Sequence, residues 1–191
     1  MEPLITRLGS KGERYLVEFY DINCPFCAKA ALASWRDLLK SGLYVELVYL
    51  PIHYSLWKDA GSLTTAQKSF LANVSAFCVQ DPRERVEYML ELFRITDEVR
   101  NEPEAIERQL EHAQRKFGDF RRCAKERLGH LAEDPELAYE LAHEYALSLG
   151  GIVTGVPMAF LIEGGKVKKV ADGYVEVEEL AKDYVNHTTK V

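Results

Sequence analysis

Tyr15-Leu16-Val17-Glu18-Phe19-Tyr20 is a β-branched and aromatic run. The stretch Ala28 to Lys40 sets Ala30, Ala31, Leu32, Trp35, Leu38 and Leu39 at helical spacing. The first reads as a buried strand, the second as a helix with one apolar face. Between them stands Cys24-Pro25-Phe26-Cys27. The motif therefore falls where a strand turns into a helix, and Pro25 suits the first helical turn, where a missing N–H costs nothing. Gly42 marks the helix end, and Tyr44 to Ile52 forms a second strong strand. Strand, helix, strand in this order is a right-handed βαβ unit with a parallel pair.

Two cysteines one helical turn apart can close a disulfide. The first caps the helix, where free N–H groups and the dipole favour a thiolate. Its pKa is expected to fall from about 8.5 into the range of roughly 3.5–7.5. A bare CxxC is also half a zinc site, but the nearest other cysteine, Cys78, has no second CxxC around it. The closed four-ligand pattern of structural zinc is missing, so the spacing favours redox chemistry.

The 191-residue chain is long enough for one domain, or one domain carrying a large insertion. A net charge of −6 provides no basic field for nucleic acid. No apolar stretch approaches the ~20 residues of a membrane span, and the N-terminus lacks the apolar core of a signal peptide. Read literally, the chain is cytoplasmic; the alternative is an extracytoplasmic or periplasmic protein whose leader has been removed. Four cysteines are too few for a disulfide scaffold and point to a specific role.

Residues 3–8 read as a short edge strand and Gly9 to Glu13 as a polar turn. From Gly61 to Gly151 the chain looks helical throughout. Phe70, Leu71, Val74, Phe77 and Cys78 share one helix face; Val86, Met89, Leu90 and Phe93 form the stripe of a second helix after Pro82. Pro103 opens a third helix, with Ile106, Leu110, Ala113 and Phe117, interrupted by Gly118 before Phe120, Cys123 and Leu128. Asp134-Pro135 caps a further helix in which Leu137, Leu141 and Tyr145 recur every fourth residue until Gly150-Gly151. The sheet resumes with Met158 to Ile162, a hairpin turn at Glu163-Gly164-Gly165-Lys166, and Val167 to Val170, before a last helix from about Glu176 to Asn186. The five histidines, His53, His112, His130, His143 and His187, form no HExxH. There is no Walker loop, GxGxxG or GxSxG.

A strand, CPFC at a helix start, a βαβ unit, and Val-Pro leading into a ββα ending together resemble the thioredoxin fold. The helical block between the two halves resembles the DsbA-like branch of thiol–disulfide oxidoreductases, from about Tyr15 to Asn186. The resemblance implies an α/β fold with a central mixed sheet. Residues 1–60 and 152–191 would form a discontinuous thioredoxin-like domain around an inserted helical domain at 61–151. It implies that Cys24 is the exposed attacking thiolate and Cys27 the buried resolving partner. Pro157, in Thr154-Gly155-Val156-Pro157, matches the family's cis-proline, with the Val156 backbone free to bind an extended peptide beside Pro25 and Phe26. Without the CxxC, Pro157 would read as a plain strand-start proline.

Glu18 interrupts the apolar run, where a charge is expensive without a task or partner. It matches the carboxylate that thioredoxin-like proteins keep beneath the disulfide, which would accept the proton of Cys27; the alternative is a strand-end glutamate reaching solvent. Some DsbA-like proteins carry a second disulfide at positions similar to Cys78 and Cys123, although single cysteines on apolar stripes are ordinarily core residues. The central Pro-Phe departs from the Pro-His of the best-known DsbA-like enzymes, since Phe26 has no polar group to hold a thiolate.

The implied activity is exchange of a Cys24–Cys27 disulfide with cysteine-containing protein or peptide substrates, as oxidase or isomerase, without organic cofactor or metal. Recycling would fall to a membrane quinone-linked oxidase or a cytosolic reductant. Two other readings remain open. Kappa-type glutathione transferases and chromene-carboxylate isomerases share the architecture but put a serine at the Cys24 position. A peptide-binding or metal-carrying module could also be built on the same frame.

Overall fold

The computed structural model describes residues 1–52 and 63–188. Five strands form one sheet: β1 (Ile5–Leu8), β2 (Arg14–Tyr20), β3 (Val45–Tyr49), β4 (Met158–Glu163) and β5 (Lys166–Asp172), in the order β1-β3-β2-β4-β5. Only β2 and β3 run parallel; the other three pairings are antiparallel. The described helices are α1 (Pro25–Ser41), α2 (Leu63–Ser75), α3 (Pro82–Glu98), α4 (Glu102–Phe117), α5 (Phe120–Leu128), α6 (Pro135–Ser148) and α7 (Tyr174–Thr188). This is the α/β thioredoxin-type arrangement that the sequence implies, with α2 to α6 between β3 and β4.

Local chemistry accounts for the boundaries. Gly42 ends α1 in the left-handed conformation at φ 69°, open to glycine without a Cβ penalty. Asp81, Asn101, Asp119 and Asp134 each accept a backbone N–H across the first turn of α3, α4, α5 and α6. Gly118 therefore separates two helices, each with its own cap, rather than interrupting one. The hairpin has the two-residue loop Gly164-Gly165, with φ 57° and 79°. Strand β5 extends to Asp172, and α7 begins at Tyr174, two residues before the sequence pattern suggests.

Alternation along β2 sends Leu16, Glu18 and Tyr20 to one face and Tyr15, Val17 and Phe19 to the other. On the first face Leu16 and Tyr20 pack with Ala30, Ala31 and Trp35 of α1 and Val177, Leu180 and Ala181 of α7. Helix α3 closes over α1: Phe93 meets the Trp35 ring edge-on at 5.1 Å, and Tyr20 Oη donates to Met89 Sδ at 3.1 Å. On the second face Val17, Phe19, Val48 and Phe160 pack against Ala142, Ala146 and Leu149. The buried face of α6 is Ala138, Leu141, Ala142 and Ala146, whereas Leu137 and Tyr145 of the fourfold repeat are only partly covered.

Candidate functional site

Helix α1 begins one residue after Cys24, whose extended backbone (φ −87°, ψ 117°) makes it the N-cap, with Pro25 at the first helical position. The Cys24 sulfur accepts the Cys27 backbone N–H at 3.4 Å, and Ala28 N–H bonds to Cys24 O at 3.0 Å. Both cysteines are free thiols. Cys27 faces the core and is wholly buried; Cys24 is 6% exposed. The sequence expectation of an exposed Cys24 is thus corrected: the first cysteine is the more accessible of the two, but the Val156–Pro157 loop covers it. Cys24 Sγ donates to Val156 O at 3.7 Å. Of the Val156 backbone, expected to be free for a peptide, the carbonyl already accepts from the thiol.

The Val156–Pro157 bond is cis. Pro157 stands immediately before β4, and Val156 packs against the cores on both faces of the sheet. Phe26 is 54% exposed and stacks on Tyr174 at 5.7 Å with 8° between the planes. Lys29 Nζ lies over both rings, 5.6 Å from Phe26 and 5.5 Å from Tyr174. Sequence reasoning singled out Phe26 but missed Tyr174 and Lys29.

The two thiols have opposite electrostatics. The Cys27 side chain and the N–H groups of Cys27 and Phe26 hold the Cys24 thiol below the usual cysteine value, against burial and the Asp21 charge. Burial, followed by the Cys24 side chain, pushes the Cys27 thiol well above it. Glu18, on the α1 face of β2, is wholly buried rather than a strand-end group in solvent. Burial raises its carboxyl from 4.5 to about 7, and the Trp35 indole N–H pulls the other way. Neither Glu18 oxygen nor Trp35 Nε1 finds a partner at hydrogen-bonding geometry, so the indole acts as a nearby dipole rather than a bonded donor.

Around the Cys24 loop lies a buried polar cluster that no local sequence pattern assembles. Asp21 Oδ1 accepts Asn23 N–H at 2.9 Å and Asn73 Nδ2 at 3.1 Å; Oδ2 accepts Ile52 N–H at 3.0 Å. Asn73 Oδ1 accepts Ile22 N–H at 2.9 Å, and Asn23 Nδ2 donates to Ser69 Oγ at 2.8 Å. Thr96 Oγ1 donates to Ile22 O at 2.7 Å, tying the same loop to α3. Loop, α2 and α3 thereby fix the position of Cys24.

Away from this site, Cys78 and Cys123 are joined in a disulfide, with Cα atoms 5.8 Å apart. It pins the short 3-10 turn Ala76–Cys78 to α5. Among the described residues no cluster of three or more His, Cys, Asp or Glu could hold a metal ion. His112 pairs with Glu91 at 2.7 Å, His143 packs on Tyr139, His130 lies in the turn before α6 and His187 near the end of α7; His53 lies outside the described residues.

Neither a protein-family profile nor a curated protein sequence matches the chain. Solved structures do. A point variant of alpha-DsbA1 from Wolbachia pipientis superposes with a TM-score of 0.65 at 15% identity, over 98% of this chain and 92% of that one. A protein-disulfide isomerase from Novosphingobium aromaticivorans gives 0.61 at 15% identity, over 97% and 100%. A periplasmic thioredoxin-like protein from Salmonella enterica serovar Typhimurium gives 0.55 at 20%, over 100% and 92%. With sheet order, the inserted helices and these superpositions all in agreement, the chain has the DsbA-like thioredoxin fold.

Proposed function

We propose that this protein is a thiol–disulfide oxidoreductase that exchanges a Cys24–Cys27 disulfide with the thiols of protein or peptide substrates, as oxidase or isomerase. The observation that carries the reading is the opposite bias of two thiols one turn apart. The cap position of Cys24 goes with a thiol held below the usual cysteine value, and the core position of Cys27 with one held well above it. In the oxidising direction a substrate thiolate attacks Cys24 Sγ. The Cys24–Cys27 bond breaks, Cys27 departs with the electron pair and takes up a proton, and a mixed disulfide forms. A second substrate thiolate then attacks the substrate sulfur and releases the Cys24 thiolate, so the substrate is oxidised and the enzyme reduced by two electrons. In the reducing direction Cys24 attacks first. Glu18 then accepts the proton of Cys27 as the latter resolves the mixed disulfide. Pro25, Phe26, Val156 and Pro157 form the rim along which the substrate chain lies.

Exchange of this kind needs only the two sulfurs, so the reading calls for no organic cofactor or metal. It does require a recycling partner, a membrane quinone-linked oxidase or a thiol reductant. The Cys78–Cys123 disulfide and the periplasmic neighbour support an extracytoplasmic setting, where structural disulfides persist; no described helix is long and apolar enough to cross a membrane. We read residues 1–60 and 152–191 as the thioredoxin-like unit and 61–151 as the insertion, whose last helix, α6, is seated on the sheet.

The deciding measurement is the reduction potential of the Cys24–Cys27 pair against glutathione. A value near the ~ −180 to −120 mV of isomerases and oxidases supports the reading; one near ~ −270 mV makes the protein a reductase. Equimolar zinc in the purified protein without dithiol turnover would replace both with a metal-carrying module.

A further inference from the structure

Lys29 is exposed on α1, three residues past Phe26, and the exchange scheme does not use it. Its Nζ lies 5.6 Å from the centre of the Phe26 ring and 5.5 Å from that of Tyr174; the two rings, 5.7 Å apart, stack with 8° between their planes. The ammonium thus stands at the third corner of a near-equilateral triangle with two aromatic rings, which hold a cation without neutralising it. Lys29 makes no ion pair among the described residues. The first turn of α1 has no acidic side chain, Glu178 of α7 pairs with Lys182, and Glu176 accepts the Asp172 N–H at 2.9 Å. Gly173 N–H donates to Pro157 O at 3.1 Å, which ties Tyr174, next in the chain, to the loop over Cys24. Pro25, Phe26, Val156 and Pro157 have no ionisable side chain, so this rim takes its charge from Lys29.

We propose that Lys29 is a specificity-determining residue: its ammonium, held over the Phe26–Tyr174 stack, pairs with a carboxylate adjacent to the reacting cysteine and so selects acidic cysteine-containing peptides. The inference rests on Cys24–Cys27 being a redox pair and adds the substrate class to it. A free surface lysine gains little from an ion pair, because holding its long side chain in one geometry costs rotamer freedom. Here the two rings already restrict the ammonium, so a substrate carboxylate meets a cation in place. Phe26 stands between the two cysteines, so the residue that pairs with Lys29 is one flanking the substrate cysteine rather than a distant one. The net charge of −6 opposes an acidic peptide at long range, so the preference depends on this one cation and reverses with its sign.

The test follows oxidation of four reduced two-cysteine peptides by the full chain in its oxidised form, with acid quench and chromatography of the peptide. The peptides differ only in the residue before the first cysteine, which is Asp, Asn, Lys or Leu. Each gives up two electrons and two protons in closing its disulfide, and the Cys24–Cys27 pair takes them up. Rates are compared as ratios within the unsubstituted protein, Lys29→Met and Lys29→Glu, so that differences in peptide thiol reactivity and in Cys24 reactivity cancel. Lys29→Met keeps an unbranched stem and removes the charge. Relative to Lys29→Met, the unsubstituted protein is expected to favour the Asp over the Lys peptide about threefold. Lys29→Glu should favour the Lys peptide by a similar factor, and both effects should fade in about 1 M salt. An Asp-to-Lys ratio that is the same in all three proteins overturns the proposal. So does a preference for the Leu peptide alone that Lys29→Met retains, which would make the rings a seat for apolar side chains. An unsubstituted protein that oxidises none of the four peptides overturns the redox reading and this inference together; one that oxidises all four without a charge-dependent ratio overturns this inference only.

Discussion

The chain holds two cysteine pairs with the same functional group and opposite surroundings. Cys24 and Cys27 are three residues apart and meet at the cap of a helix, following a strand and loop that bury two carboxyl groups, Glu18 and Asp21. Cys78 and Cys123 are 45 residues apart and lie on helical elements. Closing the short pair removes almost no chain entropy, so its oxidation state is governed by local charge and by the partners it meets. Closing the long one constrains a large loop of the unfolded chain, worth about 4 kcal/mol in the chain-entropy treatment. Sequence separation makes one pair a candidate reagent and the other a staple.

The largest expected effect separates the two. Cys24→Ser should abolish dithiol–disulfide exchange, and Cys27→Ser should trap mixed disulfides, both with little change in denaturant midpoint. The double variant Cys78→Ser/Cys123→Ser should do the reverse, losing up to about 4 kcal/mol in chemical denaturation while keeping exchange. Loss of exchange in that double variant with the fold intact would break the comparison, because the staple would then be part of the reagent.

Glu18→Gln comes next. The Glu18 carboxyl is raised from 4.5 to about 7 in the folded protein, so the folded state holds its proton more tightly than the unfolded one. Its effect on stability is nil below about pH 4 and becomes a penalty that grows as pH rises to about 7, then levels off. At about 1.4 kcal/mol per pH unit the ceiling is about 3 kcal/mol. Glu18→Gln should therefore be the more stable protein at pH 8, with the advantage vanishing near pH 4 in paired denaturant titrations. The same variant should slow resolution of the mixed disulfide by Cys27 and spare the first attack by Cys24; equal slowing of both steps removes Glu18 from proton transfer.

The smallest effect is expected at Phe26, which is half exposed and stacked on Tyr174. Phe26→His puts a titratable donor beside Cys24 and should shift the glutathione equilibrium about tenfold toward the dithiol, with stability changed by less than about 1 kcal/mol. An unchanged equilibrium would mean that the helix cap alone sets thiolate stability, sharpening the contrast with the Cys78–Cys123 bond.

Much of this architecture was legible in the chain because it is written in short-range patterns. The apolar run before the cysteines, Pro25 after Cys24, the Gly164-Gly165 turn and the Asp81 and Asp134 caps each act on residues within a few positions of themselves. Glu18 was legible for a related reason: alternation along β2 allows it only two faces, and a carboxylate within an apolar run stands out on either. Leu137, Leu141 and Tyr145 were legible as a stripe that packs on the core, while the adjacent Ala138, Ala142 and Ala146, which are buried more deeply, were not, because helical periodicity identifies a stripe and not the shape of what it packs on.

The sequence by itself determined the βαβ unit, the placing of Cys24 at a helix cap and the closing ββα, because these depend on propensity, turn chemistry and spacing along one stretch of chain. Only the tertiary structure decided what surrounds the sulfurs. Asp21 meets Asn73 across 52 residues, Cys24 meets the Val156 carbonyl across 132, and Cys78 meets Cys123 across 45. Contacts of that range are settled by how the helices and the sheet pack together, and no local pattern encodes the distance between two side chains so far apart in the chain.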